Sequence, residues 1–214
     1  MSQVRVKICG VTRVEDAVRA AYLGADAIGL NFWPRSKRCV DVATAREIVA
    51  ALPPLVMAVG VFVDQSPDEI RHAASGAGLS AVQLHGAEGV AACAGHAIPV
   101  YKAFRCAARD GSPGLPWADE VAAYAGEVAG VLLDAAGAGP GGTGRACDWT
   151  LARALAEELP VLLAGGLTPE NVAEAIAAVR PWGVDVASGV ESSPGVKDPD
   201  LMARFIRAAK ETAP

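Results

Sequence analysis

Short apolar runs rich in β-branched residues alternate along the whole chain with alanine-rich stretches of helical periodicity. The runs are five to nine residues long, which is the usual length of a buried strand. Their ends recur about every 26 residues, a spacing that holds one strand, one helix and two loops. We therefore predict eight strands, at residues 4–9, 27–32, 55–63, 81–85, 99–104, 130–134, 161–165 and 184–188.

Eight consecutive strand–helix units can form either an open doubly wound sheet or a closed barrel. The count of eight favours the barrel, and the composition does not shift along the chain. We predict a single-domain (βα)8 TIM barrel over residues 1–214. Helix-start signals fall in the expected intervals, as capping boxes at Thr12/Glu15 and Ser66/Glu69 and as N-caps before proline at Thr168 and Asp198.

Composition and charge exclude several classes of protein. With 52% hydrophobic residues and a net charge of −5, the 214-residue chain is neither disordered nor suited to bind nucleic acid or an anionic membrane. Arg5 and Lys7 interrupt the first apolar run, so we expect no secretory signal, and no run has the length of a membrane helix. Five cysteines without a C-x-x-C pair predict a reducing, cytoplasmic location and no metal site.

Two strand ends carry the side chains of a proton transfer, because chemistry in a TIM barrel takes place at the carboxyl ends of the strands. Cys9 ends the first strand, where alternation puts it on the interior face with Lys7, whose ammonium could lower the pKa of the thiol. Asp134 ends the sixth strand behind an apolar run, where burial would raise the pKa of its carboxyl. Such a base and acid suit an aldose-to-ketose rearrangement. The alternatives are a buried apolar cysteine and a loop-capping aspartate.

Glycines after the seventh and eighth strands suit the binding of a phosphate. The pairs Gly165–Gly166 and Ser188–Gly189 expose backbone N–H groups at the place where this fold often holds an anion. A β-branched residue at Gly166 or Gly189 is therefore expected to block the approach of phosphate. Tight packing turns are the alternative explanation of these glycines.

Three further segments lie at the same end of the predicted barrel. Residues 34–38 carry three cations, and arginine is the natural bidentate partner of a carboxylate, although a solvated loop has the same composition. His85 ends the fourth strand, where it can contact a substrate or fill the barrel. Residues 135–147 form a long glycine-rich loop of the kind that acts as a lid, although a plain turn uses the same residues.

Taken together, these segments resemble the phosphoribosylanthranilate isomerase family of tryptophan biosynthesis. Ala187 and the L-N-F of the second strand depart from the usual family pattern. The shared segments are K-I-C-G at 7–10, S-K-R at 36–38, V-G-V-F at 59–62, Q-L-H-G at 83–86, Asp134, G-G-T-G at 141–144, A-G-G-L-x-P-E-N-V at 164–172 and S-G-V-E-x-x-P-G-x-K-D at 188–198.

The resemblance implies a cofactor-free Amadori rearrangement of a small-molecule phosphoribosyl substrate, N-(5-phosphoribosyl)anthranilate, by a monomer or homodimer. Asp134 would protonate the furanose ring oxygen, Cys9 would remove the C2 proton, and Arg38 would hold the anthranilate carboxylate. The full set of implied substrate-binding residues is Arg38, His85, Gly142, Gly165, Gly166, Asp185, Ser188 and Gly189.

Three other functions remain open at this point. A typical phosphosugar epimerase needs metal-binding histidine and aspartate at the strand ends. A carboxamide ribotide isomerase needs an aspartate where this chain has Cys9. A phosphosugar-binding barrel without activity would be separated from an enzyme by a turnover assay.

Overall fold

Eight parallel strands form a closed barrel in the computed structural model, which describes residues 3–105, 120–134 and 149–212. Each strand pairs with the next one along the chain, and the last pairs with the first. The predicted (βα)8 barrel is confirmed, with every strand bound within two residues of its prediction. The strands are β1 (Arg5–Cys9), β2 (Ala27–Asn31), β3 (Met57–Phe62), β4 (Ala81–Leu84), β5 (Val100–Arg105), β6 (Gly130–Asp134), β7 (Val161–Ala164) and β8 (Gly183–Val186).

The helices connect the strands and bury one face each, as an amphipathic pattern requires. In the last helix the buried residues Met202, Phe205, Ile206 and Ala209 recur at helical spacing. No helix in the described part of the chain combines the length and the apolar character needed to cross a bilayer. The α-helices of these residues are α1 (Val14–Tyr22), α2 (Val42–Ala51), α3 (Pro67–Ala77), α4 (Trp149–Glu158), α5 (Val172–Val179) and α6 (Pro199–Glu211).

Two of the predicted helix starts are confirmed. Ser66 and Glu69 form a complete capping box on α3, in which each side chain binds the backbone N–H of the other residue. Asp198 caps α6 by accepting hydrogen bonds from two backbone N–H groups of the first turn, and Pro199 follows it.

The other two predicted helix starts are wrong. The hydroxyl of Thr12 donates to the carbonyl oxygen of Gly195 instead of capping α1, which has no capping side chain. After β7 the Thr168 hydroxyl accepts from the N–H of Glu170, as a cap would, but residues 169–171 form a turn and Asn171 occupies the N-cap position. The helix α5 therefore begins at Val172.

The interior of the barrel has an apolar and a polar side. Strands β5 to β7 contribute the packed side chains of Ala103, Leu132, Leu162 and Ala164, with Tyr101 beside them. Strands β1, β4 and β8 contribute Lys7, Gln83 and Asp185, and all three are buried. Because a buried charge is costly without a partner, these polar groups must bind one another inside the barrel.

A short extension follows β8 and packs on the end of β1. It consists of a one-turn 3₁₀-helix (Ser188–Val190) and a hairpin of β9 (Glu191–Ser193) and β10 (Val196–Lys197), and the sequence did not predict this hairpin. The buried ammonium of Lys197 donates to the carbonyl oxygen of Cys9 at 2.6 Å and to that of Ala187 at 3.0 Å. It also donates to the Glu191 carboxylate at 2.8 Å. The hairpin is thereby fixed at the carboxyl end of the barrel.

Candidate active site

Cys9 lies at the carboxyl end of β1, partly exposed, and a glycine on the neighbouring strand makes room for its thiol. Gly29 of β2 is its register partner. A Cβ atom on Gly29 would lie 2.8 Å from the Cys9 sulfur. Any side chain at this position would therefore displace the thiol. Sequence reasoning missed Gly29, although a glycine inside a strand often marks such a close approach.

Charges of both signs surround the Cys9 thiol. Burial has the largest effect and raises the pKa of Cys9, and the Asp185 carboxylate raises it further. The ammonium groups of Lys7 and Lys197 act in the opposite direction. The Cys9 sulfur and Lys7 Cε lie 2.8 and 3.1 Å from the same point, the position of a Cβ atom on Gly29, so the predicted proximity of the two side chains is confirmed. The expected effect of Lys7 is confirmed, since its ammonium lowers the pKa of Cys9, but burial and Asp185 outweigh the two ammonium groups and the net shift is upward.

The Lys7 side chain on β1 hydrogen-bonds to polar side chains on β8 and β4. Its ammonium donates to Asp185 Oδ1 at 3.0 Å and to Gln83 Oε1 at 2.9 Å. Although burial opposes the charge, the Asp185 carboxylate raises the pKa of Lys7, so the side chain is an ammonium. Asp185, which the resemblance assigned to the substrate, thus has one carboxylate oxygen bound by Lys7.

His85 and Asp134 lie together at the mouth of the barrel. His85 Nε2 is 3.4 Å from Asp134 Oδ2, and the two side chains are 25% and 20% exposed, so a substrate can reach both. On the other side of the ring, Nδ1 is 2.9 Å from Nε2 of Gln83. The proposed acid therefore has a histidine beside it, and that histidine is connected to Lys7 through Gln83.

Arg38 is anchored by a bidentate ion pair. Its Nε and Nη2 donate to the two carboxylate oxygens of Glu191 at 2.8 and 2.6 Å. The Glu191 side chain is only 4% exposed, which shows that the pair is built into the protein and not solvated. The pair ties the loop after β2 to the hairpin after β8. Sequence reasoning missed this role of Glu191.

The two glycine-containing loops adjoin each other at the carboxyl ends of β7 and β8. Gly165 and Gly166 both have positive φ angles, of 88° and 67°. A Cβ atom on Gly189 would lie 1.9 Å from the carbonyl oxygen of Leu167. A side chain at Gly189 therefore collides with the loop after β7 whether or not an anion binds there, so that substitution cannot test the phosphate site and the expected block of phosphate stays a prediction.

Two further predictions concern the glycine-rich loop and metal binding. Gly142 and the rest of the loop 135–147 lie outside the described residues. Within residues 3–105, 120–134 and 149–212, no three His, Cys, Asp or Glu side chains are grouped as a metal ion requires.

Gln83 and Lys197 are the site residues that sequence reasoning overlooked most clearly. Each lies in a segment that carries the family resemblance, and each is almost completely buried. For Gln83 a signal existed, because it is a polar residue between Val82 and Leu84 in a short strand. No sequence signal pointed to Lys197, because the backbone carbonyl groups that it binds lie at the ends of β1 and β8.

Comparison with known proteins points to one family. A family model described as N-(5'phosphoribosyl)anthranilate (PRA) isomerase matches residues 6–208. The N-(5'-phosphoribosyl)anthranilate isomerase of Myxococcus xanthus is 51% identical over 212 residues, which cover 97% of this chain and 96% of that protein.

Solved structures give the same result. The crystal structure of phosphoribosyl anthranilate isomerase from Thermotoga maritima has a TM-score of 0.84 and 43% identity, covering 97% of this chain and 99% of that one. A phosphoribosyl anthranilate isomerase crystallised with reduced 1-(o-carboxyphenylamino)-1-deoxyribulose 5-phosphate has a TM-score of 0.82 and 42% identity, with the same two coverages. The chain therefore belongs to the N-(5'-phosphoribosyl)anthranilate isomerase family.

Proposed function

We propose that the protein converts N-(5-phosphoribosyl)anthranilate into 1-(2-carboxyphenylamino)-1-deoxyribulose 5-phosphate in tryptophan biosynthesis, with Cys9 as general base and Asp134 as general acid. The observation that carries this proposal is the position of the two groups at the carboxyl ends of β1 and β6, at the mouth of one barrel. Family membership supports this reaction over those of an epimerase, a ribotide isomerase or a barrel without activity.

The first step opens the sugar ring. The Asp134 carboxyl donates its proton to the furanose ring oxygen, the bond from C1 to that oxygen breaks, and a Schiff base forms between C1 and the anthranilate nitrogen. The fully buried Leu132 and Leu133 lie below Asp134 on the same strand. The predicted upward shift of the Asp134 pKa by burial stays a prediction.

The second step moves the proton that defines the isomerisation. The Cys9 thiolate takes the proton from C2, which leaves an enolamine, and the enolamine becomes a ketone by losing its hydroxyl proton and gaining a proton at C1. C2 is oxidised and C1 is reduced within one molecule, so the electrons balance inside the substrate. Lys7 and Lys197 stabilise the thiolate because both ammonium groups lower the pKa of Cys9.

The remaining site residues would hold the substrate. Arg38, anchored by Glu191, would bind the anthranilate carboxylate through N–H groups outside that pair. The loops of Gly165–Gly166 and Ser188–Gly189 would hold the phosphate through backbone N–H groups. His85 lies beside Asp134, and Asp185 is bound to Lys7.

The pH dependence of the free enzyme should report the raised pKa of Cys9. Because the base must be a thiolate, a raised pKa means that kcat/KM keeps rising with pH beyond the point where an ordinary thiol has ionised. The measurement is a pH profile of kcat/KM, compared with the pH dependence of Cys9 alkylation. Midpoints at or below the ordinary thiol value in both curves would contradict the burial argument.

Replacing Arg38 with alanine should weaken binding of the substrate carboxylate and leave phosphate binding intact. We expect KM to rise by about 10-fold to 100-fold, the usual scale for a lost charge-assisted hydrogen bond. Binding of inorganic phosphate, measured by titration calorimetry, should stay within about twofold of the wild type. Arg35→Ala is the matched control, because Arg35 is an exposed cation of the same loop. Equal losses in both variants would show that only the charge of the loop matters.

Turnover by the purified protein tests the proposed function directly. The substrate and the product are isomers, so conversion is best followed by NMR, as the loss of the C1 anomeric signal and the appearance of a C1 methylene next to a ketone. We expect complete conversion with no added cofactor. A protein that binds the substrate and leaves it unchanged would refute the proposal.

We propose a cytoplasmic location for this reaction. Cys9, Cys39 and Cys93 are free thiols, which suits a reducing compartment. A monomer or homodimer stays the predicted assembly.

A further inference from the structure

Gln83 makes two hydrogen bonds that lead in opposite directions inside the barrel. Its Oε1 accepts from the Lys7 ammonium at 2.9 Å, and its Nε2 is 2.9 Å from His85 Nδ1. Gln83 is 2% exposed, so its amide is shielded from bulk water. The proposed reaction uses neither contact, although they connect the surroundings of Cys9 with those of Asp134.

The chemistry of the partners fixes which end of the Gln83 amide faces which group. An ammonium has only donors, so the group that faces Lys7 must be the amide oxygen. Lys7 is held as an ammonium by the Asp185 carboxylate at 3.0 Å. The reversed amide would place two donors against each other in a buried site, where an unpaired donor is costly.

The orientation of Gln83 in turn fixes the proton on His85. The amide NH₂ of Gln83 can only donate, so Nδ1 of His85 must accept and carries no proton. The single proton of the neutral ring then lies on Nε2, which faces Asp134 Oδ2 at 3.4 Å. A ring with its proton on Nδ1 would oppose the NH₂ of Gln83 and would present a lone pair to Asp134.

We propose that Gln83 is a positioning residue that fixes His85 in the Nε2–H tautomer, with Lys7 setting the orientation of Gln83. His85 then meets Asp134 and the substrate as a hydrogen-bond donor. It can neither take the proton that Asp134 must deliver nor replace Cys9 as a base. The functional part of this inference rests on the proposed role of Asp134 as the acid, whereas the tautomer itself does not.

Nitrogen-15 NMR of histidine-labelled protein measures the tautomer without any assay of activity, because protonated and unprotonated ring nitrogens have well separated shifts. The chain has three histidines, and His85→Gln assigns the signals of His85. His96 is an internal reference, since its Nε2 is 2.9 Å from the carbonyl oxygen of Ala92 and must carry a proton. The exposed His72 reports a ring in contact with solvent.

Two substitutions of equal length separate the effect of Gln83 from the natural preference of the ring. Gln83→Glu places a carboxylate, kept ionised by Lys7, against Nδ1, and we expect the proton to move to Nδ1. Gln83→Met can neither donate nor accept strongly, and we expect a fraction of the Nδ1–H tautomer to appear, while Asp134 beside Nε2 keeps the rest as Nε2–H. The wild type should show Nε2–H alone.

The outcomes are distinct. An Nδ1–H tautomer in the wild type, or an unchanged His85 spectrum in folded Gln83→Glu, would overturn the proposal. An unchanged signal of His96 shows that the variant is folded. Should Gln83→Glu fail to fold, a pure Nε2–H spectrum in Gln83→Met would overturn the proposal as well.

The proposal also predicts a kinetic effect. In Gln83→Glu we expect kcat to fall by about 10²-fold, the scale of a lost general acid–base contribution, with a smaller change in KM. A full kcat in a variant with the shifted proton would overturn the functional part. An inactive wild type with the Nε2–H tautomer would instead refute the proposed function and leave the tautomer assignment standing.

Discussion

Replacement of Cys9 with alanine is expected to lower kcat/KM by at least about 10²-fold, because the variant has no group to remove the C2 proton. Thermal stability should change little, since the thiol is small, partly exposed and located at the mouth of the barrel. Steady-state kinetics and thermal unfolding followed by circular dichroism measure the two effects separately.

Cys39→Ala is the matched control for the loss of a thiol. Cys39 is an exposed free cysteine in the loop after β2, and its replacement should leave kcat/KM unchanged. Turnover close to that of the wild type in Cys9→Ala would remove Cys9 from the mechanism. A large loss of stability in that variant would show that the thiol has a structural role.

The Asp134→Asn variant should lose kcat by about 10²-fold to 10⁴-fold with KM nearly unchanged. The amide keeps the shape of the side chain and can still hydrogen-bond to His85, but it has no proton to transfer to the ring oxygen. Steady-state kinetics resolve kcat from KM, and binding of the product measures affinity independently.

Asp68→Asn controls for the loss of a carboxylate, since Asp68 is 87% exposed on α3 and pairs only with the exposed Arg71 among the described residues. Its kinetics should match those of the wild type. If Asp134→Asn instead weakens binding and keeps kcat, Asp134 is a binding residue and the acid must be sought elsewhere.

The barrel was predictable because its strands are the most apolar parts of the chain. Regular spacing and β-branched composition located all eight strands, since both follow from burial on two sides of a parallel sheet. The hairpin Glu191–Lys197 has no such pattern, because its strands are two and three residues long and largely polar. It forms through contacts with β1 and α1 that lie far away along the chain.

The positions of the site residues were predictable, whereas their electrostatics were not. Cys9, His85 and Asp134 were found because the carboxyl ends of parallel strands converge on one end of a barrel. The upward pKa shift of Cys9 depends on how far the folded barrel shields the thiol from water and on the nearby Asp185. The spacing of Lys7 and Cys9 carries no information about that burial. The ion pair of Arg38 was equally unpredictable, because its partner Glu191 lies 153 residues away along the chain.

The contact of Lys197 with Cys9 also has a consequence for the order of events during synthesis. The two residues are 188 positions apart, so the ammonium can reach the carbonyl of Cys9 only after 188 further residues have been synthesised. The thiol of the proposed base is therefore made well before one of the two cations that promote its ionisation. A nascent chain that has formed its early strands thus still lacks part of the charge that activates its base.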